Sequence, residues 1–245
     1  MTFTALASSS HGNAYLVDDG QTRILVECGL SHRKLKTLCG FTLSRVAAVL
    51  VSHEHKDHAQ CVQDLLKDGL EVYMSYGTAS ALQLASEDGE AVAEGVQLVE
   101  DRGIVEIGTF QVVPFATFHD ALEPLGFLIS STVDRENLVF ATDTVNLQYR
   151  FPGVTMMAVE ANYDPQILER CERMPEKVKK RIQNCHMEIG RLCDYLRQLD
   201  LSCCRAVYLL HLSDATSHEG HFINKVRRAV PQHVQVIACP KEGKL

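Results

Sequence analysis

Positive charge is in short supply in this 245-residue chain: 24 lysines and arginines stand against 31 acids, a net charge of −7. A general nucleic-acid coat needs the opposite sign, so any polyanion must be gripped by a local basic face. No apolar run is long enough for a membrane span. The nine cysteines are odd in number and lack pair-of-pairs spacing, and the adjacent Cys203 and Cys204 are badly placed to bridge each other. Reduced thiols in a cytoplasmic protein are therefore expected. Met1-Thr2-Phe3-Thr4-Ala5-Leu6-Ala7 has neither a basic region nor a long apolar core, so no secretory leader is expected. Repeats and low-complexity linkers are missing as well. With 46% hydrophobic residues the chain can bury a sizeable core, and a single domain over 1–245 is the expectation.

Against these absences stands one dense polar turn, His53-Glu54-His55-Lys56-Asp57-His58. An apolar, β-prone run over 46–51 precedes it, and 59–66 reads as helix. Extended spacing sends His53 and His55 to one side, while Asp57 and His58 leave the first helical turn in two neighbouring directions. One strand-to-helix turn can thus serve two adjacent metal positions. Three later apolar strands also end in ligand-type residues: His119 after Phe118, Asp143 after Thr142 and His211 after Leu210. Sites commonly form outside strand ends, so the repetition points to a shared centre.

The remaining segments fill in around this pattern. Short strands over 3–6, 14–17 and 23–27 make an antiparallel opening, and Glu27 at the end of the third can orient a ligand histidine. The loop Ser8-Ser9-Ser10-His11-Gly12-Asn13 can offer backbone N–H groups to an anion, which makes Ser10 and Asn13 candidate substrate contacts. A helix is expected at 78–85, a solvated acidic loop at 86–90, strands at 125–130 and 137–141, and helix from 165 to about 199 with breaks near 175 and 184–190. Arg173, Lys177, Lys179, Lys180 and Arg181 form a basic run, with Lys225, Arg227 and Arg228 on a later helix. Such groups typically contact a phosphate backbone.

The chain resembles the metallo-β-lactamase superfamily, whose His-x-His-x-Asp-His signature stands here as His53, His55, Asp57 and His58, followed by matches at His119, Asp143 and His211. The resemblance implies an α/β fold, the αβ/βα four-layer sandwich of two mixed β-sheets flanked by helices. It also implies one metal on His53, His55 and His119, a second on Asp57, His58 and His211, and Asp143 bridging. Ser8-Ser9-Ser10-His11-Gly12-Asn13-Ala14, Phe118 to Phe127, Ala141-Thr142-Asp143-Thr144, Glu160-Ala161-Asn162-Tyr163-Asp164 and His211-Leu212-Ser213 are similar to the YycJ/WalJ branch, which has phage relatives and contains nucleic-acid phosphodiesterases with 5′-to-3′ exonuclease activity. Glu27, where the superfamily usually has Asp, and Tyr163, where the branch often has His, are departures. Only 67 residues separate Asp143 from His211, too few for the extra domain of ribonuclease J-like enzymes. The 34 residues after His211 are likewise too few for the helical domain of glyoxalase II-like thioesterases.

Imidazole and carboxylate ligands without cysteine suit Zn2+ or Mn2+. Two such ions, about 3.5 to 4 Å apart, would bring a bridging water's pKa toward neutrality for attack on phosphorus, with Asp57 helping to orient the nucleophile. His186 is the candidate donor of a proton to the leaving oxygen, because the branch often has a histidine there. Ser213, Lys179, Lys180 and Arg181 complete the candidate substrate contacts. The expected substrate is DNA; hydrolysis of a small phosphodiester such as a cyclic nucleotide is the alternative, followed by a non-catalytic scaffold in DNA repair or recombination. The sequence names no protein partner and is compatible with a homo-oligomer.

Overall fold

The computed structural model describes residues 1–91 and 93–242. Its strands form a six-stranded and a seven-stranded sheet, flanked by helices. The chain divides into two compact units, Met1–Ala116 with Ala121–Glu136 and the chain from Pro240, and Thr117–Asp120 with Asn137–Cys239.

The first unit opens with β1 (Thr2–Ser9), β2 (Gly12–Asp18) and β3 (Arg23–Val26), paired antiparallel. Then follow α1 (His32–Leu38), β4 (Ala48–Leu50), α2 (Lys56–Ala59), α3 (Val62–Lys67), β5 (Val72–Met74), α4 (Tyr76–Ala81) and β6 (Val96–Leu98). Strands β4 to β6 add on parallel, in the order β1-β2-β3-β4-β5-β6. Every residue of β4 is buried, as an uninterrupted apolar run requires when a parallel strand is covered on both faces. Leu25, Val49, Val72 and Met74 pack with Leu35, Val62 and Leu65 of the helices in one core. The unit also contains an antiparallel meander, β7 (Val105–Ile107), β8 (Phe110–Ala116) and β9 (Leu125–Ser131).

The helix expected at 59–66 begins earlier, at Lys56, and is cut after Ala59. Its cause is tertiary. Cys61 N–H, which would donate to the Asp57 carbonyl in a continuous helix, donates instead to the Cys28 carbonyl at 3.1 Å, and the Asp57 carbonyl accepts from Asn13 Nδ2 at 3.2 Å. The helix expected at 78–85 likewise starts earlier, capped by Ser75 Oγ accepting from Thr78 N–H at 3.1 Å, and ends before Gln83, which adopts φ 60°.

In the second unit, β10 (Asn137–Ala141), β11 (Met156–Glu160), β12 (Ala206–Leu210) and β13 (Gln235–Ala238) are parallel neighbours in that order. They are joined through α5 (Pro165–Arg170), α6 (Glu176–Cys185), α7 (Ile189–Arg197) and α8 (Glu219–Arg227). Asp164 caps α5, accepting from Gln166 N–H at 2.9 Å, with Pro165 opening the first turn. The helical breaks at 171–175 and 186–188 fall where proline and the Asn184–Gly190 stretch suggest. Because these strands run parallel, their carboxyl ends share one edge, and that edge carries Asp143, Glu160 and His211. Among the described residues no helix is long and apolar enough to cross a membrane, and all nine cysteines are free thiols.

Candidate metal centre

In the first unit the polar turn folds onto the end of β3. Glu27 leaves the strand with φ 65°, a left-handed backbone that costs a non-glycine residue strain. Its buried carboxylate places Oε2 3.4 Å from His58 Nδ1, while Oε1 accepts from Ser52 N–H at 3.2 Å. Burial pushes the Glu27 carboxyl up, more than its contacts with His58 and Ser52 pull it down. Cys28 N–H donates to the His58 carbonyl at 2.8 Å. Beside it, a Cβ on Gly29 would sit 1.6 Å from the Asp57 carbonyl oxygen, so only glycine lets the two backbones meet.

The imidazoles of this turn converge. His53 Nδ1 lies 2.9 Å from Ser52 Oγ and its Nε2 lies 3.1 Å from His55 Nδ1; the His53 and His58 rings are 4.2 Å apart, and His58 Nε2 is 3.4 Å from Asp57 Oδ2. Such crowding favours neutral rings and presents their nitrogens as metal donors.

In the second unit His119 directs Nδ1 to the Cys185 carbonyl at 2.9 Å, which places its Nε2 3.5 Å from Asp143 Oδ2 and 3.2 Å from Asp120 Oδ1. Burial lowers the His119 pKa despite Asp143, keeping the ring in its ligating form. Asp143 (φ 45°) and His211 (φ 53°) both end their strands in the left-handed region. His211 Nδ1 is 3.3 Å from both Asp143 Oδ1 and Glu160 Oε1, and Asn162 Nδ2 donates to the His211 carbonyl at 2.9 Å. Candidate ligand atoms of Asp143, Glu160, His186 and His211 all lie within 4.8 Å of one another. This is an imidazole and carboxylate donor set that fits a divalent cation such as Zn2+ or Mn2+.

Glu160 is the residue that sequence reasoning passed over. It is fully buried and accepts from Thr144 N–H at 2.9 Å and Met187 N–H at 3.0 Å on Oε2, while Oε1 sits 2.7 Å from His186 Nδ1. Burial would raise its carboxyl, but His186 and His211 outweigh that and hold it low, opposite to Glu27. The signal was available: Met156 to Val159 is another apolar strand ending in a ligand-type residue. Asn162, two residues on, was also passed over.

The other candidates fall in different places. Asn13 is turned inward: its Oδ1 accepts from Ser9 N–H and Tyr15 Oη–H, and its Nδ2 lies 3.2 Å from His58 Nε2 as well as from the Asp57 carbonyl. Its side chain braces the ligand turn from within the protein. Ser10 is exposed at the tip of that loop. On α6, Lys179 Nζ donates to the Glu169 carbonyl, Lys180 is exposed, and Arg181 makes a two-pronged pair with Asp120 at 2.7 and 3.1 Å. Ser213 N–H donates to the Asn162 carbonyl at 3.1 Å.

A sequence profile of the beta-lactamase superfamily domain matches residues 22–212, and the chain belongs to that superfamily. It is similar to the exodeoxyribonuclease YycJ of Bacillus anthracis, at 29% identity over 224 residues, with 86% of this chain and 82% of that protein covered. Among solved structures, the metallo-beta-lactamase fold protein YhfI from Bacillus subtilis matches with TM-score 0.73 at 15% identity, covering 98% of this chain and 97% of that one. The Zn2+-bound PqqB from Methylobacterium extorquens also gives 0.73, at 12% identity, covering 100% and 99%. The fold is the metallo-β-lactamase fold.

Proposed function

We propose that the protein is a cytoplasmic, metal-dependent phosphodiesterase that degrades DNA from the 5′ end, its chain working as one domain. Membership of the superfamily and the similarity to an exodeoxyribonuclease support the hydrolase class and the nucleic-acid substrate. In this reading His53, His55 and His119 hold one cation, Asp57, His58 and His211 the other, and Asp143 serves both. The observation that carries it is how the histidines are held. His53 Nδ1 meets Ser52 Oγ, His58 Nδ1 faces Glu27 and His119 Nδ1 meets the Cys185 carbonyl, each fixing a ring so that Nε2 faces other ligand-type groups.

Bound cations supply a nucleophile at neutral pH and offset charge that develops at phosphorus. The chain's own residues do the rest. Asp57 orients the attacking oxygen. Burial works against a charged His186, but Glu160 beside Nδ1 more than compensates and raises its pKa, so the ring keeps a proton at Nε2 to pass to the leaving oxygen.

The test is a panel of single-stranded DNA, duplex DNA, RNA and cyclic nucleotides, read before and after metal removal. Release of mononucleotides from the 5′ end of DNA, abolished by chelator and restored by Mn2+ or Zn2+, is the expected result. Hydrolysis that survives exhaustive metal removal, or that favours cyclic nucleotides over DNA, would overturn it.

A further inference from the structure

Next to the second cluster lies a cavity that neither the metal ligands nor their supports occupy. The loop after Asp143 runs along α7 and is pinned at both ends: Arg191 Nη1 donates to the Val145 carbonyl at 3.0 Å and Tyr195 Oη–H to the Tyr149 carbonyl at 2.8 Å. Val145 N–H donates in turn to the carbonyl of Phe118, the residue before His119. The pinned loop is thus continuous with the ligand positions. Between loop and helix is a cavity of about 270 Å³ lined by Asn146, Gln148, Arg150, Arg191, Asp194 and Gln198, among others. Asp194 is its one lining carboxylate, and Oδ1 of that group is already 2.6 Å from Arg197 Nη1. Two arginines and three side-chain amides therefore face a space with little local negative charge.

Resting on the proposed function, we infer that this cavity is a strand subsite, holding one nucleotide unit of the nucleic acid beside the cleaved bond. Arg150 and Arg191 have the planar forks that pair with phosphate oxygens. Asn146, Gln148 and Gln198 offer both donors and acceptors, which suit the edge of any base without selecting one. The volume suits a single nucleotide, not a duplex turn.

The experiment uses the protein as isolated and a phosphorothioate-linked single-stranded DNA dodecamer, with binding read by fluorescence anisotropy and minimal chemistry read on bis(p-nitrophenyl) phosphate. Arg150→Glu is expected to weaken dodecamer binding about tenfold or more and to flatten its log–log salt dependence by roughly 1.4, for two units of charge. Its kcat/KM on the small diester, which is too short to fill the cavity, stays within about twofold of wild type. Arg228→Glu, the same reversal on α8, changes dodecamer binding far less. Equal losses in the two variants, or wild-type affinity in Arg150→Glu, would overturn the subsite and leave the hydrolase standing. Failure of the wild-type protein both to bind the dodecamer and to cleave the diester would instead remove the proposed function, and the subsite with it.

Discussion

Glu160 shows how much one buried side chain can govern. It receives two backbone N–H groups and faces two histidines, so its charge sets the orientation of His186 and His211 together. Glu160→Gln keeps the shape but removes the charge opposite His186. Support of this kind is worth about 10- to 100-fold in metal affinity or activity. We expect a loss of that size in metal-dependent turnover with the folded far-UV spectrum retained; turnover equal to wild type would show that the charge is idle. Histidine and aspartate at strand ends were legible in the sequence because apolar runs stop abruptly at them. Glu160 follows the same rule and was overlooked, because an acid closing a strand is also ordinary punctuation. Asn13 was misjudged for a related reason: a Ser/Gly/Asn stretch signals a turn, and nothing in it tells which side chain faces inward.

At the scale of elements, the strand runs were readable from apolar continuity, and the helix starts less so. The split between α2 and α3 depends on Cys28, 33 positions away in the chain from Cys61, accepting a hydrogen bond that periodicity cannot register. Turns carry similar long-range ties. Asp19, between β2 and β3, accepts from Thr109 Oγ1 at 2.6 Å and Ser131 Oγ at 2.8 Å, together with Gln21 and Thr22 N–H. Burial would raise its carboxyl, but these four donors prevail and lower it from 3.8 to about 2. A depressed carboxylate stabilises the fold above its unfolded pKa and loses that contribution as pH falls through the folded value. Asp19→Asn should therefore lower Tm at neutral pH, and the gap from wild type should close between about pH 4 and pH 2. A gap that persists unchanged at the acid end would show that the turn is held by something other than this charge.

For the whole molecule, net charge sets the terms on which a polyanion can approach. At −7 the mean field repels DNA, so attachment must be local and salt-sensitive. The basic run on α6 is less available than its composition suggests, since Arg181 is already matched by Asp120. Neutralising Lys179, Lys180 and Arg181 together is expected to reduce the log–log salt slope for single-stranded DNA by roughly 1.4, the share of two charges, where three free cations would give about 2.1. Titration of binding between low and moderate salt separates these values, and an unchanged slope would remove α6 from the interface. The fold class and the ligand pattern were both present in the linear chain, because a superfamily signature is compact and its later members sit at strand ends.

The contact of Gly29 with the Asp57 carbonyl has a bearing on how this protein can vary. Two stretches about thirty codons apart touch backbone to backbone, with no side chain between them to absorb a change. In a mutational library, codons 27–29 and 56–58 should therefore behave as one genetic unit: changes harmless in either alone would be penalised in combination, and recovery would come from the opposite stretch.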